Sequence, residues 1–370
     1  MFSPKSILDM PDLVMRKILE DVDLISTLNL RKVCRAFQNF INNTHQIDLN
    51  VNSVSIKLRG DAVFMLLKVV PGEEIDMTIQ KSSLGCTVFI EYEYGEQEIY
   101  EMNDVTVLEE LKICLEGIIE SQKTLLPFFN LDCIPMYVRP QQSKFLSFFG
   151  CCERQTTSSY LVADYEPSEK ALNETLEWMD QVRKTLKRPM QVRKFSISIF
   201  EPSQLRKLLS NLDVESLRHL AINTRKRERR DFEKIDLDEI LEYFPMVNVE
   251  KLHVEDSLVT SSIRSIMHIP DFEIMVKDIS VEELLQLRKI FLTSLGPRRA
   301  LMFLNNRQLS DRLISALSSS SYEVNPSEFY YGIPKQNRCV HISLSCCCLY
   351  LLAMERKEVP EYYQVFDLPE

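Results

Sequence analysis

VRKFSISIFEPSQLRKLLSNLDVESLRHLAI, residues 192–222, switches its hydrophobic period twice within 31 residues. Residues 192–200 read as a strand, 203–209 as a helix, and 216–222 as a second strand. The same alternation continues on both sides. Upstream, Pro167 and Ser168 open a helix over 167–186 whose core face is Leu172, Leu176, Met179, Val182 and Leu186. Downstream come a helix at 237–244, strands at 249–254 and 272–279, and a helix at 281–295 stopped by Gly296-Pro297. A further strand follows at 299–304. The strand starts recur about every 25 residues, with one longer gap.

A strand–helix unit of this length cannot bury its apolar face alone and must stack on neighbours. LRHLAI (217–222) and VEKLHV (249–254) have the look of leucine-rich repeats, but no asparagine stands where the ladder of a regular repeat needs one. The expectation is an irregular leucine-rich-repeat-like arc of stacked strand–helix units. The alternative is an ordinary layered α/β domain. Both require parallel pairing with right-handed crossovers. The basic run RKRERR (225–230) interrupts the pattern and reads as a solvated loop, with a nuclear-localisation or phosphate-contacting patch as the alternative.

Outside this region the pattern changes. Alternating or β-rich stretches at 48–58, 75–79 and 86–94 read as strands. A helix follows at 107–126, with Leu108, Leu111, Leu115, Ile118 and Ile119 at helical spacing. Residues 143–159, rich in serine, threonine and small residues, read as a connection. The longest apolar run, ISLSCCCLYLLAM (342–354), is too short to cross a bilayer, which takes about 20 residues. It reads as a buried strand or core helix, with lipidation of Cys346–Cys348 as the alternative.

Residues 1–47 read as three short helices. Pro11 can open the first, Asp12 suits the positive end of its dipole, and Leu13, Val14, Ile18 and Leu19 recur at helical spacing. A second carries Leu24, Leu28 and Leu30, and a third places Val33, Phe37, Phe40 and Ile41 on one face before Asn42-Asn43 stops it. Met10, Leu13, Val14, Ile18, Leu24 and Leu28 are more apolar surface than so small a unit can hide. Either a partner protein covers them, or the helices cap the following domain.

Composition narrows the function classes. The net charge is −10 and the sequence pI about 5.3, which argues against phosphate-driven nucleic-acid binding and a polybasic membrane surface. Ten cysteines sit mostly in apolar segments without C-x-x-C spacing, as free thiols of a reducing compartment do. The first residues lack the apolar core of a signal peptide, so an intracellular protein of the cytoplasm or nucleus is expected. The eight glycines form no phosphate-binding loop. None of the five histidines pairs at zinc spacing, and there is no G-x-S-x-G elbow. His219 and His253 lie in strand patterns and read as structural. Glu91/Glu93 and Asp236/Asp238 read as carboxylate pairs, each on one face of an alternating stretch, and as surface acidity. No catalytic residue, metal or cofactor is therefore expected.

MPDLVMRKILEDVDLISTLNLRKVCRAFQNFI (10–41) resembles an F-box, with Met10-Pro11, Ile18-Leu19, Asp23-Leu24 and Val33-Cys34 at the positions of its motif. Residues 171–222 and 279–294 resemble the FTH domain of the nematode F-box A family. The resemblance implies a non-catalytic, substrate-recognition adaptor of a Skp–cullin–F-box ubiquitin ligase. It would bind a Skp-type adaptor, and through it a cullin, by Met10, Pro11, Leu13, Val14, Ile18, Leu19, Leu24, Leu28, Val33 and Cys34. A protein target would sit on the C-terminal domain, with neither nucleic acid nor membrane as a partner. The alternative is a scaffold that uses the F-box for pairing without degradation. The implied organisation is an all-α F-box at 1–47, a strand-rich region with one long helix at 48–160, an FTH-like α/β domain at 161–320, and a C-terminal extension at 321–370 ending in a strand–helix cap.

Overall fold

The structure, a computed structural model, describes residues 10–20, 22, 24–34, 36–37, 40–41, 51–70, 72–121, 125–138, 162–164, 166–186, 188–225, 233–293, 298–304, 310–317, 328–345, 348–361, 363 and 365–367. The fold is mixed α/β. It divides into two compact units, Met1–Arg188 and Pro189–Glu370.

The first unit opens with helices α1 (Asp12–Glu20) and α2 (Leu24–Val33). An antiparallel meander follows: β1 (Val51–Arg59), β2 (Ala62–Val69), β3 (Glu73–Lys81), β4 (Gly85–Tyr92) and β5 (Gln97–Asn103). Helix α3 (Val107–Ser121) leads to β6 (Leu126–Cys133), which pairs parallel with β1. A small pair, β7 (Met136–Val138) with β8 (Val162–Asp164), precedes α4 (Glu166–Leu186). Within the unit the strand order is β6-β1-β2-β3-β4-β5.

The period-2 patterning explains the layering. Val54, Ile56 and Leu58 of β1, Val63, Met65 and Leu67 of β2, and Ile75, Met77 and Ile79 of β3 are all buried. They meet α3 and α4, which present Leu111, Leu115, Ile118, Leu172 and Leu176. Cys114 Sγ lies 4.0 Å from Met77 Sδ across this layer. Helix α3 starts at a reciprocal cap, in which Thr106 N–H donates to Glu109 (2.8 Å) and Glu109 N–H donates to Thr106 Oγ1 (3.2 Å). Gly60, in the β1–β2 turn, touches the start of α4. A Cβ built there would stand 2.0 Å from Cβ of Pro167. Gly60→Ala is therefore expected to lower stability by about 1–3 kcal/mol through overpacking, read as a fall in the urea midpoint with an unchanged slope.

The second unit is built on the strand–helix alternation. Its elements are β9 (Val192–Ile199), α5 (Pro202–Leu209), β10 (His219–Thr224), β11 (Glu233–Ile235), α6 (Leu237–Tyr243), β12 (Lys251–Val259), β13 (Asp271–Val276), α7 (Val281–Thr293) and β14 (Arg299–Leu304). Strands β9, β10, β12, β13 and β14 are neighbours in that order and run parallel, with β11 beside β12. After α8 (Ser310–Leu317), strands β15 (Glu328–Gly332), β16 (Arg338–Leu344) and β17 (Cys348–Glu355) return antiparallel. Strand β17 pairs with β14, and β18 (Val365–Asp367) lies parallel to β15.

One row of each parallel strand is buried: Phe195 and Ile197, Leu220 and Ile222, Leu252 and Val254, Phe272 and Ile274, Ala300 and Met302. The helices bring Leu205, Leu208, Leu284, Leu287 and Phe291 to the same core. Local chemistry sets the helix starts. Gln204 Oε1 accepts from the Phe200 and Glu201 N–H groups at 2.7 and 3.2 Å, ahead of Pro202 in the first turn of α5. Ser280 and Glu283 form a reciprocal cap on α7.

Several expectations change. The helix foreseen to 126 ends at Ser121, because Leu126 opens β6. Asp236 and Asp238 do not alternate on a strand. Asp236 is the N-cap of α6 and accepts from Asp238 N–H at 2.9 Å, and both charges sit at the positive end of the helix. Glu93 lies beyond the end of β4, so it shares no strand face with Glu91. In the C-terminal region, the apolar run 342–354 contributes to β16 and β17, the strand alternative of its reading. The connection at 143–159 and the basic residues 226–230 lie outside the described residues.

Candidate protein-docking site

Pro11 stands immediately before α1, and its carbonyl accepts from the Val14 and Met15 N–H groups at 2.8 and 3.2 Å. The helix this starts has two unlike apolar faces. Met15 and Leu19, one turn apart, are 2% and 1% exposed and face inward. Phe37 and Ile41 are buried as well. Helix α2 lies against α3. The segment thus caps α3 of its own unit through α2.

That capping leaves the other face bare. Leu13 is 78% exposed, Met10 and Val14 42% each, and Ile18 37%. Pro11 is exposed beside them, and Val33 at the end of α2 is 66% exposed. Cys34 is half-buried with a free thiol. The side chains of Leu24 and Leu28 lie outside the described residues. A single exposed leucine needs no explanation, but four neighbouring apolar side chains on nine residues do. Burying each is worth about 1.5–3 kcal/mol, so a partner's apolar surface is the natural complement. Met15 and Leu19 hold the helix down, and Leu13, Val14 and Ile18 project from it.

The second unit offers a different surface. The row of its parallel strands that alternates with the buried row is mostly polar, with Ala221, Met275, Leu301 and the exposed Phe303 among it, and its polar part is ordered by ion pairs. Arg299 Nε donates to Asp271 at 2.9 Å, and Lys251 Nζ lies 3.6 Å from the other oxygen of the same carboxylate. Glu273 takes Arg299 at 3.4 Å and His253 Nδ1 at 3.5 Å, and Asn223 donates to Glu255 at 3.3 Å. The hydrogen bond to Asp271 raises the Arg299 pKa above its usual value. His219 is held below the ordinary histidine range, first by partial burial and then by Lys194, against the pull of Glu250. His219 and His253 occupy this strand face, as their pattern foresees, and both lie near carboxylates. The sequence shows which residues alternate. It does not show the register that sets Lys251, Asp271 and Arg299 side by side.

Among the described residues no three His, Cys, Asp or Glu side chains are placed to hold a metal ion. Among them, too, no helix is long and apolar enough to cross a membrane.

A small helical segment with a bare apolar face thus precedes the α/β units in the chain. A family model for the F-box domain matches residues 7–46, and one for the FTH domain matches residues 173–297. The chain therefore pairs an N-terminal F-box with a C-terminal FTH domain, the architecture its sequence resembles. The F-box supports a part in an SCF-type ubiquitin ligase or in protein interaction more broadly, and F-boxes generally bind Skp-type adaptors within cullin complexes. No curated protein and no solved structure matches the chain.

Proposed function

We propose that the protein is a substrate-recognition adaptor of a Skp–cullin–F-box ubiquitin ligase. The observation that carries the proposal is the bare apolar row of Met10, Leu13, Val14 and Ile18, with Val33 exposed at the end of α2, inside the segment that matches the F-box. A Skp-type adaptor docks there through a few apolar anchors, joined by Pro11, Leu24, Leu28 and Cys34 and supported from below by Leu19. The FTH domain, an irregular leucine-rich-repeat-like arc of strand–helix units, takes the protein target. The chain supplies proximity, and the ubiquitin chemistry belongs to other subunits. The site of action is intracellular, in the cytoplasm or nucleus.

Affinity purification of the full chain with mass spectrometry tests both ends at once. The expected result is recovery of a Skp-type adaptor together with a second protein whose half-life lengthens when the chain is removed. Recovery of both with an unchanged half-life selects the alternative, a non-degradative scaffold. Recovery of no Skp-type protein overturns the proposal.

A further inference from the structure

Residues 51–133 carry neither family match, yet their sheet ends in a strand built to receive another. β5 is the last strand of the order, and the ladder to β4 has a fixed phase. Tyr92 N–H donates to Glu96 C=O at 3.0 Å, and Asp104 N–H to Leu84 C=O at 2.9 Å. Alternation along the pair then makes Glu98, Tyr100 and Met102 the residues bonded to β4. Gln97, Ile99, Glu101 and Asn103 turn their N–H and C=O groups to the outer edge. Among the described residues no strand pairs with that edge.

The side chains beside the edge have a definite chemistry. Ile99 is 63% exposed and stands across from Phe89, itself 39% exposed. Between β3, β4 and β5 runs an open groove of about 230 Å³, lined by Asp76, Thr78, Phe89, Glu91, Gln97 and Ile99 among others. Its lining is mostly polar and acidic, with Phe89 and Ile99 as its apolar part. Asp76 pairs directly with Glu91 across the ladder, and residues 73–104 hold nine carboxylates against one lysine, Lys81. Directly opposed like charges destabilise a sheet. The strain registers on Asp76, whose side chain still reaches solvent. Partial desolvation in the groove and then Glu91 raise its pKa, while Lys57 pulls the other way. An incoming cation relieves that repulsion.

We propose that the β5 edge is a second docking surface, which accepts an extended, basic segment of a partner protein as an added strand. The segment carries basic and apolar residues in turn at every second position, because Ile99, Phe89, Glu91 and Glu101 share one face of the sheet. On that face its apolar side chains meet Ile99 and the Phe89 ring behind it, and its lysines or arginines meet Glu101 and reach toward Glu91. A second copy of this chain is a poor occupant, because β5 against β5 sets like carboxylates together.

The test is a titration of the full chain, by fluorescence anisotropy, with a nine-residue peptide in which lysine and valine take turns at every second position, with threonine between them. The control is the same peptide N-methylated at every second residue, which keeps its charge but cannot extend a sheet. The expected result is saturable binding that weakens about tenfold or more with the methylated peptide. Ile99→Pro, which removes an outward N–H and no bond to β4, is expected to weaken it comparably. The double variant Glu91→Lys with Glu101→Lys lies on exposed positions and gives an independent readout. It should lose the lysine peptide and gain its counterpart with glutamate in place of lysine. Equal binding of the methylated peptide, or no exchange of preference in the charge-reversed protein, overturns the proposal. A dimer of the unliganded chain in sedimentation, lost in Ile99→Pro, overturns it in favour of self-association.

Discussion

Replacing Leu13 and Ile18 together with glutamate is expected to abolish capture of a Skp-type adaptor while leaving the fold intact. Both side chains already reach solvent, Leu13 at 78% and Ile18 at 37%, so neither substitution buries a charge in the free protein. In the complex each carboxylate would sit in an apolar contact without a partner. A penalty of about 2 kcal/mol or more apiece weakens binding about a thousandfold in total. The thermal midpoint should stay within a few degrees of the parent. Met15→Glu and Leu19→Glu provide the contrast. Those residues are 2% and 1% exposed, and the charge is expected to loosen the helical segment itself, seen as lost protection of α1 amides in hydrogen exchange. If the Leu13/Ile18 double variant binds as the parent does, the bare face of α1 is not the docking surface.

Phe272→Ala is expected to produce the largest loss of stability from a single truncation in the FTH unit. Phe272 lies in β13, between β12 and β14, with no exposed surface. Its strand mates Leu252 and Ala300 are likewise fully buried, so the site has little room to collapse around the void. Phenylalanine deletions in such cores cost about 3–5 kcal/mol. In a unit of this size that lowers the thermal midpoint by about 10 °C. Adaptor capture by the F-box should survive the change below that midpoint, since β13 belongs to the other compact unit. Calorimetry of the full chain checks the first effect and adaptor binding at low temperature the second.

How much the sequence revealed follows from what each pattern depends on. Most of the strand–helix alternation of residues 192–304 was legible because its strands and helices carry their own periods and its helices their own caps, but the short β11 (Glu233–Ile235) was missed. The helices α4, α5, α6 and α7 fall within a few residues of where the periodicity placed them. The meander was harder to see. β2, AVFMLLKV, is apolar at every position but Lys68 and shows no clean alternation in sequence, and β5, QEIYEMN, is an exposed edge with an acidic pattern. Neither looks like a half-buried strand, so both were missed, as was β6. The antiparallel return of β15, β16 and β17 was invisible for another reason. Direction of pairing is set by which strands become neighbours in space, and no local period records it.

The candidate site divides in the same way. Pro11 and the Leu13, Val14 and Ile18 spacing marked an apolar helix, but spacing could not tell the inward pair Met15 and Leu19 from the outward row. A helix with apolar residues on more than one face gives no sign of which face the domain claims. The ion-pair ladder of Lys251, Asp271 and Arg299 depends on register across three strands, and its residues stand 20 and 28 positions apart along the chain. Nothing in the linear order joins them.

The measurement that bears most directly on the adaptor role is a calorimetric titration of the full chain with a purified Skp-type adaptor. The predicted result is a one-to-one complex with a dissociation constant of about a micromolar or tighter and a negative heat-capacity change, the mark of apolar burial. No measurable heat at several temperatures, with the folded state of both proteins verified, would contradict it.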